Sequence, residues 1–419
     1  LFVLDDGWFG KRNSDTSSLG DYTVNEKKLP GGLLGIAQKI KALGLDFGIW
    51  VEPEMVSVNS RLYEKHPDWA AAVPGRNHSE GRNQRILDLA NPQVQEFVIE
   101  EMSRVFSGAD ISYVKWDMNR IFSDDYSPYL PPDRQGEAAH RYICGLYHCM
   151  DVLTKRFPDI LFEGCAAGGN RFDLGMLCYS PQVWSSDDTD PIERLDIQGG
   201  LSYLYPQSTM GAHVSAAPHQ QTLRDTPLST RFNVAAFGAL GYELEFKYMS
   251  RVELKEIKGQ IEFYKKHRKT LQFGRFYRFD ERKDNKVHWQ ISAPDGSEHI
   301  VGHFQKLCTA SEGYDELPVK GLDKNARYRL KCKTQSLFIK RLGGLVKHVM
   351  PIELNPDGFI LRTANKFFAM PDGAENLEAS GAALMSGIKL NNQFLGTGYN
   401  DRIHMFGDFG SAIYTIEKL

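Results

Sequence analysis

Two stretches of this chain place carboxylates where short apolar runs end. Ile111-Ser112-Tyr113-Val114 leads into Lys115-Trp116-Asp117-Met118-Asn119-Arg120, and Val183-Trp184 leads into Ser185-Ser186-Asp187-Asp188-Thr189-Asp190. Acids at strand ends suit a parallel α/β fold, in which reactive groups gather at the carboxyl ends of several strands. Two carboxylates facing across a cleft are the machinery of glycoside hydrolysis. Lys115 and Asp117 stand two apart, so both can face the same side of an extended strand. A lysine beside a carboxylate lowers its pKa and keeps it ionised, as a nucleophile must be. A plain structural salt bridge would use the same spacing. In the 187–190 cluster, like charges or partial burial would raise one carboxyl and hold a proton ready for a leaving group. Clustered Asp also suits calcium, but a calcium loop needs more ligands at defined spacing.

Other residues could complete such a site. Asp5 and Asp6 are adjacent, so their side chains diverge; at a strand end either could accept from sugar hydroxyls, or serve an Asx turn. Trp8 and Trp50 lie at successive strand ends and offer aromatic faces to a hexose, whereas Trp116 and Trp184, each beside a key acid, also read as packing residues. Glu52 and Glu54 flank Pro53 and compete as catalytic acids, or orient a Lys or Arg. Arg82 carries a fork of donors. The turn Cys165-Ala166-Ala167-Gly168-Gly169-Asn170-Arg171 lets backbone approach a ligand closely, without the spacing of a phosphate loop. His140, Cys144 and His148 share one face of a helix that belongs in an outer ring, and are read as core packing. No HxH or HExxH occurs, so neither a metal nor another cofactor is implied.

The elements that must position these residues alternate. Leu1–Leu4, Phe47–Val51, 112–117, Ile160–Glu163, 182–186, Ala212–Ser215 and Tyr242–Phe246 read as strands. Helical periodicity follows over Leu33–Leu43, from Asn91-Pro92 to about Phe106, over Gly136–Arg156, from Arg171, over Ile192–Tyr203 and over Val252–Arg268. Chemistry on several strand ends, with no Gly-rich first turn, favours a (β/α)₈ barrel over a Rossmann sheet. Seven βα units can be counted, so the barrel is expected to lack its first strand and helix in this chain. From about Phe273 the pattern turns β-rich: Val287–Ser292, Tyr328–Leu330, Gly358–Leu361 and Ala412–Tyr414 read as strands of a sandwich. The expected domains are therefore 1–272, a catalytic barrel, and 273–419, a C-terminal β-sandwich.

At 419 residues the chain is long enough for both. A net charge of −3 argues against a nucleic-acid partner, and no run of 18 apolar residues suggests a membrane span. The six cysteines lack CxxC spacing, which favours reduced thiols and a cytoplasmic setting.

Taken together, Leu4-Asp5-Asp6-Gly7-Trp8-Phe9-Gly10, Trp50-Val51-Glu52-Pro53-Glu54-Met55, Arg82-Asn83-Gln84, Lys115–Arg120, Gly164–Asp173 and Trp184–Asp190 resemble glycoside hydrolase family 36, the bacterial α-galactosidase type. The resemblance implies a retaining enzyme with Asp117 as nucleophile and Asp187 as acid/base. It implies that Asp5, Asp6, Trp50, Arg82, Lys115, Asn119, Cys165 and Gly168 surround the galactose, and that the substrates are α-galactoside oligosaccharides such as melibiose and raffinose. In the family an N-terminal β-sandwich precedes the barrel, and many bacterial members are tetramers, so a homo-oligomer is expected. Gln220 stands where the family often has His. Three other readings stay open: α-N-acetylgalactosaminidase, galactosyl transfer to a sugar acceptor, and a non-catalytic galactoside-binding protein or inactive fragment.

Overall fold

The computed structural model of the chain describes residues 1–279, 285–309, 315–341, 347, 352–355, 358–373, 375–390 and 406–419. They form two compact units, Leu1–Asp187 and Asp188–Leu419.

In the first unit five strands run parallel: β1 (Phe2–Leu4), β2 (Phe47–Val51), β3 (Tyr113–Trp116), β4 (Leu161–Gly164) and β5 (Gln182–Trp184), each pairing with the next. β2 is buried along its whole length, as expected of a parallel strand covered on both faces. The register sets Trp50 beside Lys115, Lys115 beside Glu163, and Glu163 beside Gln182. Paired neighbours point to the same side of a sheet, so one layer carries an indole, an ammonium, a carboxyl and an amide. A short antiparallel hairpin, Met55–Ser57 with Gln84–Ile86, branches off after β2.

Helices α1 (Gly32–Ala42), α2 (Pro92–Phe106), α3 (Ala138–Arg156) and α4 (Leu174–Leu177) follow β1 to β4. α2 starts where the sequence says it must: Asn91 caps it by accepting the Gln93 N–H at 2.9 Å, with Pro92 in the first turn. Its Val94, Val98, Met102 and Val105 recur at helical spacing on the buried face. On α3 the buried stripe is Tyr142, Leu146, Cys149, Met150 and Leu153. His140, Cys144 and His148 lie on the exposed side instead. The core reading of that trio is thus corrected: the apolar stripe, with the larger burial gain, decides which way the helix turns.

The second unit begins with α5 (Pro191–Leu201), capped by Asp190, whose carboxylate accepts the Ile192 N–H at 2.8 Å. Two parallel strands, β6 (Met210–Ser215) and β7 (Ala239–Glu243), follow, with the fully buried α6 (Leu228–Ala235) between them. α7 (Arg251–Phe273) opens on a capping box of Ser250 and Glu253. Among the described residues, seven strands of parallel type thus each precede a helix.

Strands Arg275–Phe279, Lys286–Ser292, Glu298–Gln305, Ser411–Lys418, Arg327–Cys332 and Asn376–Ser380 then lie side by side in that order as one antiparallel sheet. Residues 358–361 are not a strand: Phe359–Ala364 is a helix that buries Leu361 beside Leu337, Ile339 and Met370. A short apolar run does not reveal its period. No helix of the described residues is long and apolar enough to cross a membrane.

Candidate active site

The site is built from the ends of β2, β3, β4 and β5. Asp117 continues β3 by one residue, because its N–H donates to the Val51 carbonyl at 2.8 Å. That bond pins it beside the end of β2. The residue is only 5% exposed, and its carboxylate takes three donors in place of water. The Trp50 indole donates to Oδ2 at 3.0 Å, the Asn119 side-chain amide donates to Oδ2 at 2.7 Å, and the Met118 N–H donates to Oδ1 at 2.8 Å. Cys165 faces the same carboxylate. Burial first, then the Asp117 charge, push its thiol far up, so it stays neutral.

Asp187, in contrast, is exposed, and the Trp184 indole donates to its Oδ1 at 3.0 Å. The turn after β4 lies against its backbone. Gly168 adopts φ +81°, and a Cβ there would stand 2.9 Å from the Asp187 nitrogen and 3.0 Å from Ser186 Cα. Only glycine gives both the left-handed backbone and that close approach. Asn170 braces the turn by donating to the Ala166 and Ala167 carbonyls at 2.9 and 3.0 Å. Gly168 therefore helps to place Asp187.

Lys115 pairs with Asp5, at 3.5 Å, and stands 5.0 Å from the Trp184 ring centre. Burial works against its charge, but Asp5 first, then Glu163 and Asp117, outweigh it and hold its proton above the ordinary lysine range. Asp5 also accepts the Asp6 N–H at 2.8 Å, which is turn chemistry, while its other oxygen faces Lys115. Asp6 accepts from Arg12 at 2.7 Å, and Arg82 donates to Asp15 at 2.9 Å. Direct contacts thus join Trp50, Asp117 and Asn119, join Asp5, Lys115 and Trp184, and join Asp187 to Trp184 and Gly168. Asp6 and Arg82 are engaged with Arg12 and Asp15.

The tryptophans differ from a pair of open platforms. Trp8 is 2% exposed and donates to the Trp50 carbonyl at 2.9 Å, so it is core that supports the end of β2. Trp50 is itself buried, with the Phe9 ring parallel to it at 6.4 Å; its indole N–H points to Asp117. Trp116 is fully buried and donates to Glu54.

Glu52 and Glu54 are both wholly buried. Glu54 receives two bonds of 2.8 Å from Arg171, one of 2.8 Å from Trp116 and one of 2.5 Å from Tyr142. Glu52 receives the Asn119 N–H at 2.5 Å. Burial, and second the Asp117 charge, push the Glu52 carboxyl up to about 8. Glu163 was not singled out from sequence. It sits beside Lys115, and Gln182 donates to it at 2.9 Å. Burial raises it and the Lys115 charge pulls it part of the way back. Its signal was present: a carboxylate at the end of the apolar run Ile160-Leu161-Phe162, the pattern that marked Asp117.

Residues 1–274 match the melibiase family, and residues 286–416 match the glycosyl hydrolase family 36 C-terminal domain. The chain is 52% identical over 332 residues to α-galactosidase AgaA of Geobacillus stearothermophilus, covering 79% of this chain and 46% of that protein. It is 46% identical over 344 residues to α-galactosidase Mel36A of Lactobacillus acidophilus, covering 81% and 46%. The crystal structure of Geobacillus AgaA aligns with a TM-score of 0.84 at 43% identity, covering 100% of this chain and 51% of that one. That likeness shows the fold class, a barrel-type α/β fold followed by an antiparallel sheet domain. The chain spans about half the length of the curated relatives it matches. With its strand-end carboxylates and both matched segments in order, the chain belongs to the melibiase family and carries the C-terminal domain of glycosyl hydrolase family 36.

Proposed function

We propose that this chain is the catalytic part of a retaining α-galactosidase that releases terminal α-linked galactose from melibiose- and raffinose-type oligosaccharides. The observation that carries the reading is the contrast between the two acids: Asp117 is buried under three donors, and Asp187 is open to solvent with one. The first suits a fixed nucleophile, the second a group that trades protons with water. Relatives support the substrate class, since structures of Geobacillus AgaA variants hold raffinose and stachyose.

Asp117 attacks the anomeric carbon. The glycosidic C–O bond breaks, and its electron pair leaves with the oxygen, which takes the proton of Asp187. Water then attacks the same carbon and gives its proton to Asp187. The enzyme–sugar bond breaks, Asp117 regains its charge, and galactose leaves with its configuration retained. Trp50 and Asn119 hold the nucleophile. Asp5, Asp6, Arg82, Lys115, Cys165 and Gly168 are read as the surrounding galactose contacts.

The same proposal takes residues 1–272 as the catalytic barrel and 273–419 as the appended β-domain, a division supported by the two matched segments. It includes a homo-oligomer and a cytoplasmic setting, the latter supported by six cysteines that show no CxxC spacing.

Asp117→Ala should lower turnover of a nitrophenyl α-galactoside at least about ten-thousand-fold. Azide should restore product, with inverted configuration. Full activity in that variant would falsify the assignment.

A further inference from the structure

Glu52 follows directly on β2, and no part of its carboxyl reaches solvent. Its Oε1 accepts the Asn119 N–H at 2.5 Å, and its Oε2 is buried with no hydrogen-bond partner among the described residues. The side chain of the same Asn119 donates to Asp117 at 2.7 Å. One residue therefore bridges two carboxyls, its main chain on one and its side chain on the other.

Among the described residues, the leading charged and titratable groups that face Glu52 are Asp117, Arg82, Arg12 and Tyr22. Neither arginine closes an ion pair with it. Arg12 donates to Asp6 and to the Ser17 carbonyl, each at 2.7 Å, and Arg82 donates to Asp15 at 2.9 Å. Two neighbouring buried carboxyls without a bound countercharge cannot both ionise at low cost. Among the described residues Asp117 has three hydrogen-bond donors to carry a negative charge, and Glu52 has one.

We propose that Glu52 is a positioning residue that works as a neutral acid: it carries the proton of the pair, leaves the charge on Asp117, and fixes Asn119 against the nucleophile. The proposal rests on the reading of Asp117 as nucleophile. The raised Glu52 value, due first to burial and then to the Asp117 charge, agrees with it. Glutamine mimics the neutral acid, with a carbonyl for Asn119 and a donor where the proton would be. Leucine has neither.

The test has two arms. Infrared difference spectra of the wild-type chain against Glu52→Gln should show the carbonyl stretch of a protonated carboxyl at pH 7, lost as pH rises past 8. No such band would overturn the proposal, whatever the activity. In steady-state assays on a nitrophenyl α-galactoside, Glu52→Gln should lower kcat by about fivefold and remove an inflection near pH 8 from the kcat/KM profile. Glu52→Leu should lower kcat about a hundredfold with a smaller change in KM. A loss of a thousandfold or so in Glu52→Gln, with unchanged thermal stability, would show that the ionised form is required and would also overturn it. A wild-type chain inactive on the galactoside would refute the α-galactosidase reading alone, because the infrared band still reports where the proton resides.

Discussion

Glu52 and Glu54 stand on either side of one proline, are equally buried, and live in opposite surroundings. Around Glu54 a bidentate arginine, an indole and a phenol satisfy the carboxylate from three directions, tying the end of β2 to β3, to α3 and to the turn that carries Gly168. Around Glu52 there is one backbone N–H and a negative neighbour. A buried charge is tolerated when its lone pairs are filled and its countercharge is in contact; otherwise the group keeps its proton. One glutamate is therefore an anchor, and the other a store for a proton beside Asp117.

The contrast can be broken most forcefully at Arg171. Arg171→Met leaves Glu54 buried without its countercharge and should cost about 3–5 kcal/mol in urea unfolding, with Glu54→Gln in the same background recovering part of the loss. A loss of a few tenths would deny Glu54 its role as an anchor.

Glu52 should behave in the reverse sense. The folded protein holds its proton up to about pH 8, whereas a free glutamate releases it near 4.5. Between those values the folded state binds more protons than the unfolded chain, so stability falls as pH rises through that window. Glu52→Gln removes this slope. The variant should match the wild type near pH 4.5 and exceed it by on the order of 4 kcal/mol at pH 8. Parallel stability curves would end the argument for a buried proton.

The smallest effect sharpens the cause. Asp117→Asn removes the second contribution to the Glu52 shift and keeps the first. The upper edge of the same pH window should move down, by roughly 1 kcal/mol in stability, yet stay above the ordinary glutamate range because burial dominates. An unmoved edge would mean that the two carboxyls do not feel each other.

Most of the α/β alternation was legible because its signals are local: a capped helix start at Asn91-Pro92 and apolar runs that end on acids. Where the signal was weak, the reading failed in a specific way. Phe359-Ile360-Leu361 has no period long enough to separate strand from helix. The i, i+4, i+8 spacing of His140, Cys144 and His148 marks a face of α3 but says nothing of which way it turns. Trp8 and Trp50 look alike on paper, and one packs as core while the other donates to Asp117.

Taken alone, the amino-acid order determined which residues could share a strand face, where helices begin, and that acids collect at the ends of β3 and β5. These follow from backbone periodicity and from side-chain chemistry within a few residues. Only the tertiary structure decided that Lys115 pairs with Asp5, that Gly168 leaves room for Asp187, and that Glu54 meets Arg171 while Glu52 meets Asn119. Those outcomes depend on partners 65 or more residues away for Glu52 and more than a hundred for the Glu54–Arg171 pair. A carboxyl's protonation depends on what surrounds it in space, so the chemical difference between two glutamates either side of a proline arises from packing and not from their place in the chain.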